Sequence, residues 1–122
     1  MKSNVCISFY MRSGTVRIHR STLKCIADPV FVRFLVSDDK KVFAVQSYEK
    51  KDFRSFRIYQ NQANKTDKVE IYSKGLCNSL SRIAGWASIG SYRVYGKVFP
   101  AQGVAVFDLT SYEVISELSK GT

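Results

Sequence analysis

Short alternations of hydrophobic and polar residues run along most of this 122-residue chain, a pattern typical of β-strands that are buried on one face. In TVRIHR, for example, Val16 and Ile18 fall on one face of the predicted strand, while Arg17 and His19 fall on the other. Helical spacing of three and four residues appears directly after such strands. The chain is therefore expected to be an α+β protein that is mostly β.

The first predicted helix lies in HRSTLKCIADP, where Leu23 and Ile26 share one side. Ser21 or Thr22 can cap its start, and Pro29 ends it because proline forces the preceding residue into an extended conformation. The strand-like runs FVRFLV and KVFAVQ then flank the turn-favouring residues SDDK, which predicts a β-hairpin. The order is strand, helix, strand, strand.

The second half of the chain repeats this order. DKVEIY predicts a strand with Val69 and Ile71 on its buried face, and the helix after it is capped near Ser73 and ended by Gly85. SYRVYGKVF and VAVFDL flank PAQG and predict a second hairpin. One further strand precedes each unit: VCISFY across the turn MRSG, and FRIYQ across the polar segment NQANKTDK.

A repeated tripeptide supports a duplication. SYE occurs at residues 47–49 and again at residues 111–113, after the last predicted strand of each half. We therefore predict one domain, residues 1–122, built of two tandem strand-strand-helix-strand-strand units over about residues 3–51 and 53–115. The capping box of Thr110 with Glu113 predicts a short C-terminal helix after them. The alternative is two unrelated stretches of mixed α/β pattern.

Apolar residues on the inward faces of these elements are expected to form one shared core. Interlaced pairing of the strands would also protect their aromatic-rich edges from aggregation. Trp86 is expected in the core or at its rim rather than as a platform for base stacking. The expected core residues are Val16, Ile18, Leu23, Ile26, Phe34, Val36, Val45, Val69, Ile71, Leu76, Leu80, Ile83, Val94, Val104, Val106 and Leu109.

The net charge of +9 is concentrated in the first half of the chain. Residues 1–65 hold 13 Lys and Arg against 5 Asp and Glu, whereas residues 66–122 hold 6 against 5. A basic block of this kind attracts phosphate polymers, although a surface kept soluble by lysine has the same composition. No apolar run approaches the roughly 20 residues of a membrane helix, and the first residues lack a small-residue cleavage site. A soluble, cytoplasmic protein is expected.

Residues that could carry catalysis or bind a metal are few and scattered. Cys6, Cys25 and Cys77 have no paired spacing and His19 is the one histidine, so no zinc site is predicted and the thiols are expected to be buried or half-buried. No glycine motif for nucleotides occurs, and Asp38–Asp39 is a turn rather than an acid/base pair. The chain is expected to be non-enzymatic and to need no cofactor.

The order hairpin, short helix, hairpin resembles the swapped-hairpin AbrB-type unit, in which two copies interlace their strands into one barrel. The resemblance depends on SGTVRIHRSTLKCI, a glycine turn followed by a strand and a basic helix, and on FVRFLVSDDKKVFAVQSY. It covers residues 5–48 well and residues 56–113 by pattern alone. Two such units in one chain look most like the MraZ arrangement, which implies a pseudo-dimeric swapped-hairpin barrel that binds DNA and regulates transcription.

The sequence departs from this family at positions that matter for DNA contact. Thr15 follows the turn glycine where the family commonly has arginine, and His19 stands where proline is common. The basic helix position is retained as Lys24. In the second unit the position that matches Arg17 is Glu70, which predicts that this copy is structural.

The favoured hypothesis is a protein that contacts double-stranded DNA through its basic first unit. Basic side chains anchor phosphates, and guanidinium groups can add base contacts. The alternative is a small protein-interaction module, for example a phage or mobile-element protein that binds a host complex through aromatic side chains. Further pairing of whole chains is open under either hypothesis. The predicted nucleic-acid-binding residues are Arg12, Arg17, Arg20, Lys24, Lys50, Lys51, Arg54 and Arg57.

Overall fold

Eight strands and two helices make up the part of the chain that the computed structural model describes, which comprises residues 5–50, 55–58 and 68–115. The protein is thus mostly β, as the alternating pattern predicts. The helices are α1 (Arg20–Cys25) and α2 (Lys74–Ala84), and a 3-10 turn covers Pro100–Gln102. The strands are β1 (Cys6–Tyr10), β2 (Thr15–His19), β3 (Phe31–Ser37), β4 (Val42–Tyr48), β5 (Ser55–Arg57), β6 (Lys68–Tyr72), β7 (Ser91–Phe99) and β8 (Val104–Val114).

These strands form one antiparallel, nearly closed barrel-like sheet in the order β5-β3-β4-β8-β7-β1-β2-β6. Strands β1 and β2, β3 and β4, and β7 and β8 are paired as hairpins. The remaining pairs are β1 with β7, β2 with β6, β3 with β5, and β4 with β8. Six of the eight described strands, all except β3 and β5, therefore have a hydrogen-bonded neighbour from the other half of the chain.

Each helix lies at one end of the sheet. Strand β2 runs into α1 and β6 runs into α2, and because β2 and β6 are antiparallel the two helices lie at opposite ends. We call these the α1 end and the α2 end. The amino group of Lys41, in the turn between β3 and β4, donates to the carbonyl oxygen of Ile83 at 2.8 Å and so ties that turn to α2.

Helix α1 begins and ends differently from the prediction. His19 is the N-cap residue and makes no capping side-chain bond, so the expected cap at Ser21 or Thr22 is wrong. The Thr22 hydroxyl is instead buried, where it accepts from the amide of Cys6 at 3.2 Å and donates to the Cys6 carbonyl at 3.3 Å. The helix is closed by the amide of Ala27, which has a φ of 70° and bonds the carbonyl of Lys24. This left-handed residue, directly after the C-cap Ile26, ends the helix before the proline does.

Helix α2 follows the prediction closely. The Ser73 hydroxyl accepts from the amide of Leu76 at 3.3 Å, which caps the helix. Gly85 has a φ of 73° and ends it in the left-handed conformation that glycine adopts without strain. Leu80 and Ile83 are buried against the sheet, and Leu76 is partly buried beside them.

The core lies inside the sheet and is dominated by aromatic rings. Phe9, Phe43 and Phe107 are fully buried, and the Phe9 and Phe43 rings meet edge to face with centres 5.3 Å apart. Phe34 stacks on Phe56 at 4.8 Å and fills the β5 side. The expected core residues confirmed as buried are Val16, Ile18, Leu23, Ile26, Val45, Val69, Ile71, Leu80, Ile83, Val94 and Leu109, and Phe34 and Leu76 are partly buried.

Three expected core residues are not buried. Side chains alternate between the faces of a strand, so Leu109 cannot share a face of β8 with Val104 and Val106. The buried face of β8 carries Ala105, Phe107 and Leu109, and the two valines face outward. Val36 is 38% exposed, because it lies one residue from the end of β3.

The predicted capping box is also wrong. Thr110 and Glu113 both lie in β8, which continues to Val114, and Tyr112 pairs with Val94 of β7. The strand can continue past the repeated SYE tripeptide because β7 offers it a ladder partner there. The later residues of the predicted C-terminal helix, 116–122, lie outside the described residues, as does the segment 59–67 between β5 and β6.

Trp86, expected in the core or at its rim, is 4% exposed and lies just after α2. Its ring stacks on Tyr92 with centres 4.6 Å apart and an interplanar angle of 10°. The Ser81 hydroxyl donates to the Trp86 carbonyl at 2.7 Å and fixes the turn.

Neither helix of the described part has the length and apolar content needed to cross a membrane.

Gly96→Ala is expected to lower the free energy of unfolding by about 1 to 3 kcal/mol, because overpacking forces neighbouring atoms to shift. A Cβ at this position, beside the irregularity of the β7 and β8 pairing, would clash with the Val106 carbonyl oxygen and lie 2.6 Å from the Phe107 ring. Urea unfolding followed by circular dichroism measures the change. Gly75→Ala is the matched control, since its Cβ would meet nothing within 4 Å in α2; it should be neutral or stabilising. Equal losses from both changes would contradict the packing at Gly96.

Candidate nucleic-acid interface

Arg17 lies on the outer face of β2, directly opposite Glu70 of β6. Its Nε and Nη2 atoms donate to Glu70 Oε2 at 2.9 and 2.6 Å, and its Nη1 atom donates to the Tyr10 hydroxyl at 3.0 Å. The guanidinium carbon lies 4.6 Å from the centre of the Tyr10 ring. The arginine predicted to contact DNA is therefore occupied within the sheet.

A row of polar and charged side chains continues from Arg17 across the outer face. Ser8 of β1 lies between Arg17 and Arg93 of β7, and Arg93 lies opposite Glu113 of β8. Arg93 Nε donates to the Ser8 hydroxyl at 3.4 Å, and the Tyr95 hydroxyl donates to Glu113 Oε1 at 3.3 Å. With Glu70, this row balances its arginines with glutamates, so it offers phosphate groups little net attraction.

Arg12 and Arg20 lie at opposite ends of the sheet. Arg12 is exposed in the turn before β2, at the α2 end, whereas Arg20 follows β2 at the α1 end. The five residues of β2 between them span about 16 Å at about 3.3 Å per residue. The turn that carries Arg12 is held by Lys74, whose amino group donates to the carbonyls of Met11 and Arg12 at 3.2 and 2.9 Å.

The α1 end gathers most of the other predicted residues. Four of the predicted nucleic-acid-binding residues lie there within the described residues. A fifth basic residue at this end, Lys68 at the start of β6, was not predicted from the sequence. Arg20 is half-buried and the other four are exposed, while Asp28 and Glu49 are exposed acids at the same end. Lys51 and Arg54 lie outside the described residues. We call the following five residues the basic end: Arg20, Lys24, Lys50, Arg57 and Lys68.

Aromatic side chains on the outer face adjoin the basic end. Phe31 of β3 pairs with Arg57 on one side and with Tyr48 of β4 on the other. Because Val32 is fully buried, Phe31 and Arg33 on either side of it face outward. Arg57 of β5, Phe31 of β3 and Tyr48 of β4 therefore lie side by side across three neighbouring strands.

Arg33 completes this arrangement. Its guanidinium carbon lies 4.9 Å from the centre of the Tyr48 ring, and its Nε donates to Gln46 Oε1 at 2.7 Å. The hydrogen bond holds the guanidinium plane beside the ring, where cation and ring attract each other. Sequence reasoning missed Arg33 and Gln46, although their alternation with Val32 and Val45 marks them as outward-facing.

Tyr48 lines two neighbouring cavities. The larger, of about 430 Å³, has an apolar wall formed by Ile26, Pro29, Val30 and Phe31. The smaller, of about 320 Å³, is polar and is lined by Arg33, Gln46, Ser47, Tyr48, Glu49 and Lys50. The backbone beside the larger cavity is in an uncommon conformation, since Ala27 and Asp28 have φ values of 70° and 45°.

The thiols are not arranged for chemistry at this surface. Cys6 and Cys77 are buried, but Cys25 is exposed, so the expectation that all thiols are buried or half-buried is wrong for Cys25. Burial raises the pKa of the Cys6 and Cys77 thiols, which stay neutral near pH 7. Among the residues that the structure describes, no group of three or more His, Cys, Asp and Glu could hold a metal ion.

Comparison with known proteins found no matching family model, no matching curated protein and no matching solved structure. The basic end, the outer-face aromatic rings and the two cavities at Tyr48 lie together at the α1 end of the sheet.

Glu70→Arg is expected to destabilise the protein, because two guanidinium groups would then face each other across β2 and β6. The pair is partly exposed, with side chains 24% and 43% accessible, so the loss should be about 0.5 to 1 kcal/mol. Adding Arg17→Glu to the same chain exchanges the charges and should recover most of that loss. Urea unfolding of the single and double variants at low and high salt measures the coupling. A double variant no more stable than Glu70→Arg would contradict a favourable ion pair.

Proposed function

We propose that this protein binds nucleic acid, catalyses no reaction and regulates transcription. The observation that carries the proposal is the grouping of the basic end with the outward-facing rings of Phe31 and Tyr48. Cations attract the phosphates of any sequence, while aromatic rings and guanidinium planes can contact bases. A cytoplasmic location follows from this role, and the free cysteines fit a reducing compartment.

The contact surface we propose differs from the one expected from sequence. Arg17 belongs to an ion pair with Glu70, and Arg12 lies at the other end of β2. Arg20, Lys24 and Lys50 are therefore the residues we assign to phosphate contact, with Arg57 and Lys68 beside them. The net charge of +9 steers a polyanion toward the protein, and the basic end determines where it docks.

We further infer that the chain consists of two tandem units related by an approximate two-fold axis. In this relation β1 corresponds to β5, β2 to β6, β3 to β7 and β4 to β8. The pair β1·β7 then corresponds to β5·β3, and the hairpin β3·β4 corresponds to β7·β8. The pairs β2·β6 and β4·β8 map onto themselves. The hairpin β1·β2 would map onto β5·β6; these are the two edge strands of the described sheet, and the described residues show no pairing between them.

The position of Arg17 supports this inference. In a strand pair that maps onto itself, equivalent residues face each other at the centre, and the central pair of β2·β6 is Arg17 with Glu70. Two identical units would set arginine against arginine, which repels. A fused pair of diverged units replaces that repulsion with an ion pair. The resemblance to AbrB-type and MraZ proteins gives the same arrangement, and it is the basis for proposing regulation of transcription.

A protein-interaction module, such as a phage or mobile-element protein that binds a host complex, is the second candidate. It is favoured by the outer face of β3, β4, β8 and β7, where Leu35 of β3 is 40% exposed and Phe99 at the end of β7 is 45% exposed. Apolar groups of this kind anchor protein interfaces. Affinity for such a partner would change little with salt, whereas affinity for nucleic acid falls steeply.

Alanine at Arg20, Lys24 and Lys50 together is expected to weaken nucleic-acid binding and to reduce its salt slope by about 2 to 3 units, at about 0.9 per phosphate contact. Fluorescence anisotropy with labelled random-sequence DNA between about 50 and 200 mM salt measures both. The control removes three exposed cations at the α2 end, Arg12, Lys40 and Arg82, and should change the slope by less than about 1 unit. Equal effects would contradict a localised site. No binding by the unaltered protein at low salt would show that the proposal is wrong.

Residues 1–60 expressed alone are expected to remain unfolded, because β1, β2 and β4 would lose the ladder partners β7, β6 and β8. Circular dichroism and amide proton dispersion in NMR spectra test this. Co-expression with residues 61–122 should restore a folded complex. A monomeric fragment with dispersed amide signals would contradict the interdependence of the two halves.

A further inference from the structure

Tyr48 separates two cavities of different chemistry at the end of β4. On one side the wall is apolar, formed by Ile26, Pro29, Val30 and Phe31, and Val30 is 52% exposed at its mouth. On the other side the wall carries the cations of Arg33 and Lys50, and the carboxylate of Glu49 borders both cavities. An apolar slot that shares an aromatic wall with a cationic slot matches the two parts of a nucleotide, its base and its phosphate.

The aromatic wall is held in place. The Tyr48 ring is half-buried and Arg33 lies against it at 4.9 Å, with the guanidinium fixed by Gln46 at 2.7 Å. The backbone of the adjacent Ser47 is fixed as well, because its amide donates to the Gly103 carbonyl at 2.8 Å. A base that stacks on this ring would therefore meet a surface that is already ordered, which lowers the entropic cost of binding.

Residues beside the ring supply the polar contacts that a nucleotide requires. The Arg33 and Lys50 cations can reach a phosphate, since arginine and lysine are the side chains that most often do so. The Gln46 side-chain nitrogen can donate to base or sugar. The volumes of about 320 and 430 Å³ lie at the lower end of the range for small-ligand pockets, about 300 to 1,000 Å³.

We propose that the two cavities beside Tyr48 bind one nucleotide of a single-stranded nucleic acid. The base lies in the apolar cavity against the Tyr48 ring, and the phosphate lies in the polar cavity near Arg33 and Lys50. The proposal rests on the proposed function, and it replaces the duplex expected from sequence with a single strand at this position.

The single strand follows from the geometry of the surface. Paired bases in a duplex present only their edges, so a ring can stack only on a base that is out of the helix. Helix α1, with six residues, is the only described α-helix at this end, and it is too short to fill a major groove as a recognition helix does. The rings of Phe31 and Tyr48 lie instead on a sheet face, the arrangement in which sheets bind unstacked bases.

The test measures fluorescence anisotropy of a labelled 12-nucleotide DNA strand of mixed sequence and of the same strand in a duplex. Tyr48→Ala should weaken binding of the single strand by about 5- to 150-fold, the loss caused by removing one aromatic-base stack. Tyr48→Phe keeps the ring and should stay within about twofold of the unaltered protein. Tyr72→Ala is the matched control, since Tyr72 is 76% exposed on β6 at the α2 end and should have no effect.

A second variant, at Val30, tests the same site in case Tyr48→Ala does not fold. Val30 is exposed, so Val30→Glu should leave the fold intact and bring a carboxylate to the mouth of the apolar cavity. It should weaken binding of the single strand about tenfold or more, because a base that enters the apolar cavity would have to bury the new carboxylate. Thermal unfolding of each variant confirms that the fold is retained.

The outcomes separate this inference from the proposed function. Loss of single-strand binding in Tyr48→Ala and Val30→Glu, with Tyr48→Phe and Tyr72→Ala unaffected, supports the nucleotide site. Salt-dependent binding that Tyr48→Ala and Val30→Glu leave unchanged overturns the site but leaves the proposed function standing. An unaltered protein that binds neither strand nor duplex at low salt overturns both.

Discussion

The hydrogen-bonded ladders between the two halves of the chain are the interaction on which the rest of the structure depends. Strand β1 needs β7, β2 needs β6 and β4 needs β8, so neither half can satisfy its backbone groups alone. The same ladders bring Phe9 and Phe43, from different hairpins, to an edge-to-face contact with centres 5.3 Å apart in one core. They also set α1 and α2 at opposite ends, and so determine which basic residues can meet on the surface.

Much of the fold could be predicted because local patterns and tertiary contacts agree. Val16 and Ile18 are buried where alternation puts them, and Ser73 and Gly85 delimit α2 because capping and left-handed φ are local properties. The prediction of secondary structure failed where pairing with a strand distant in the sequence determines the conformation. Thr110 and Glu113 have the spacing of a capping box, yet β7 extends its ladder to Val114 and keeps them in a strand.

The candidate site could be predicted in part, for a similar reason. The basic character of the first half is visible in composition, and Lys24 and Lys50 are exposed where they were expected. In the sequence Arg17 is a basic residue of the same kind as Lys24 and Lys50. In the structure its guanidinium is bound by Glu70, which lies 53 positions away in the chain. The sequence repeat shows that Arg17 and Glu70 occupy equivalent positions. It does not show that they face each other, because that depends on the register of β2 and β6. Arg33 was missed because a single charge inside an apolar run gives no local sign that a ring lies beside it.

The single tryptophan adds a practical consequence. Trp86 stacks on Tyr92 at the end of the sheet opposite Tyr48, and its ring neighbours Phe9, Tyr92 and Tyr112 belong to β1, β7 and β8. Its emission should therefore respond to loss of the native packing and stay silent when a ligand occupies the far end. Intrinsic fluorescence can thus monitor conformational integrity throughout a titration, while an extrinsic label on the ligand records occupancy.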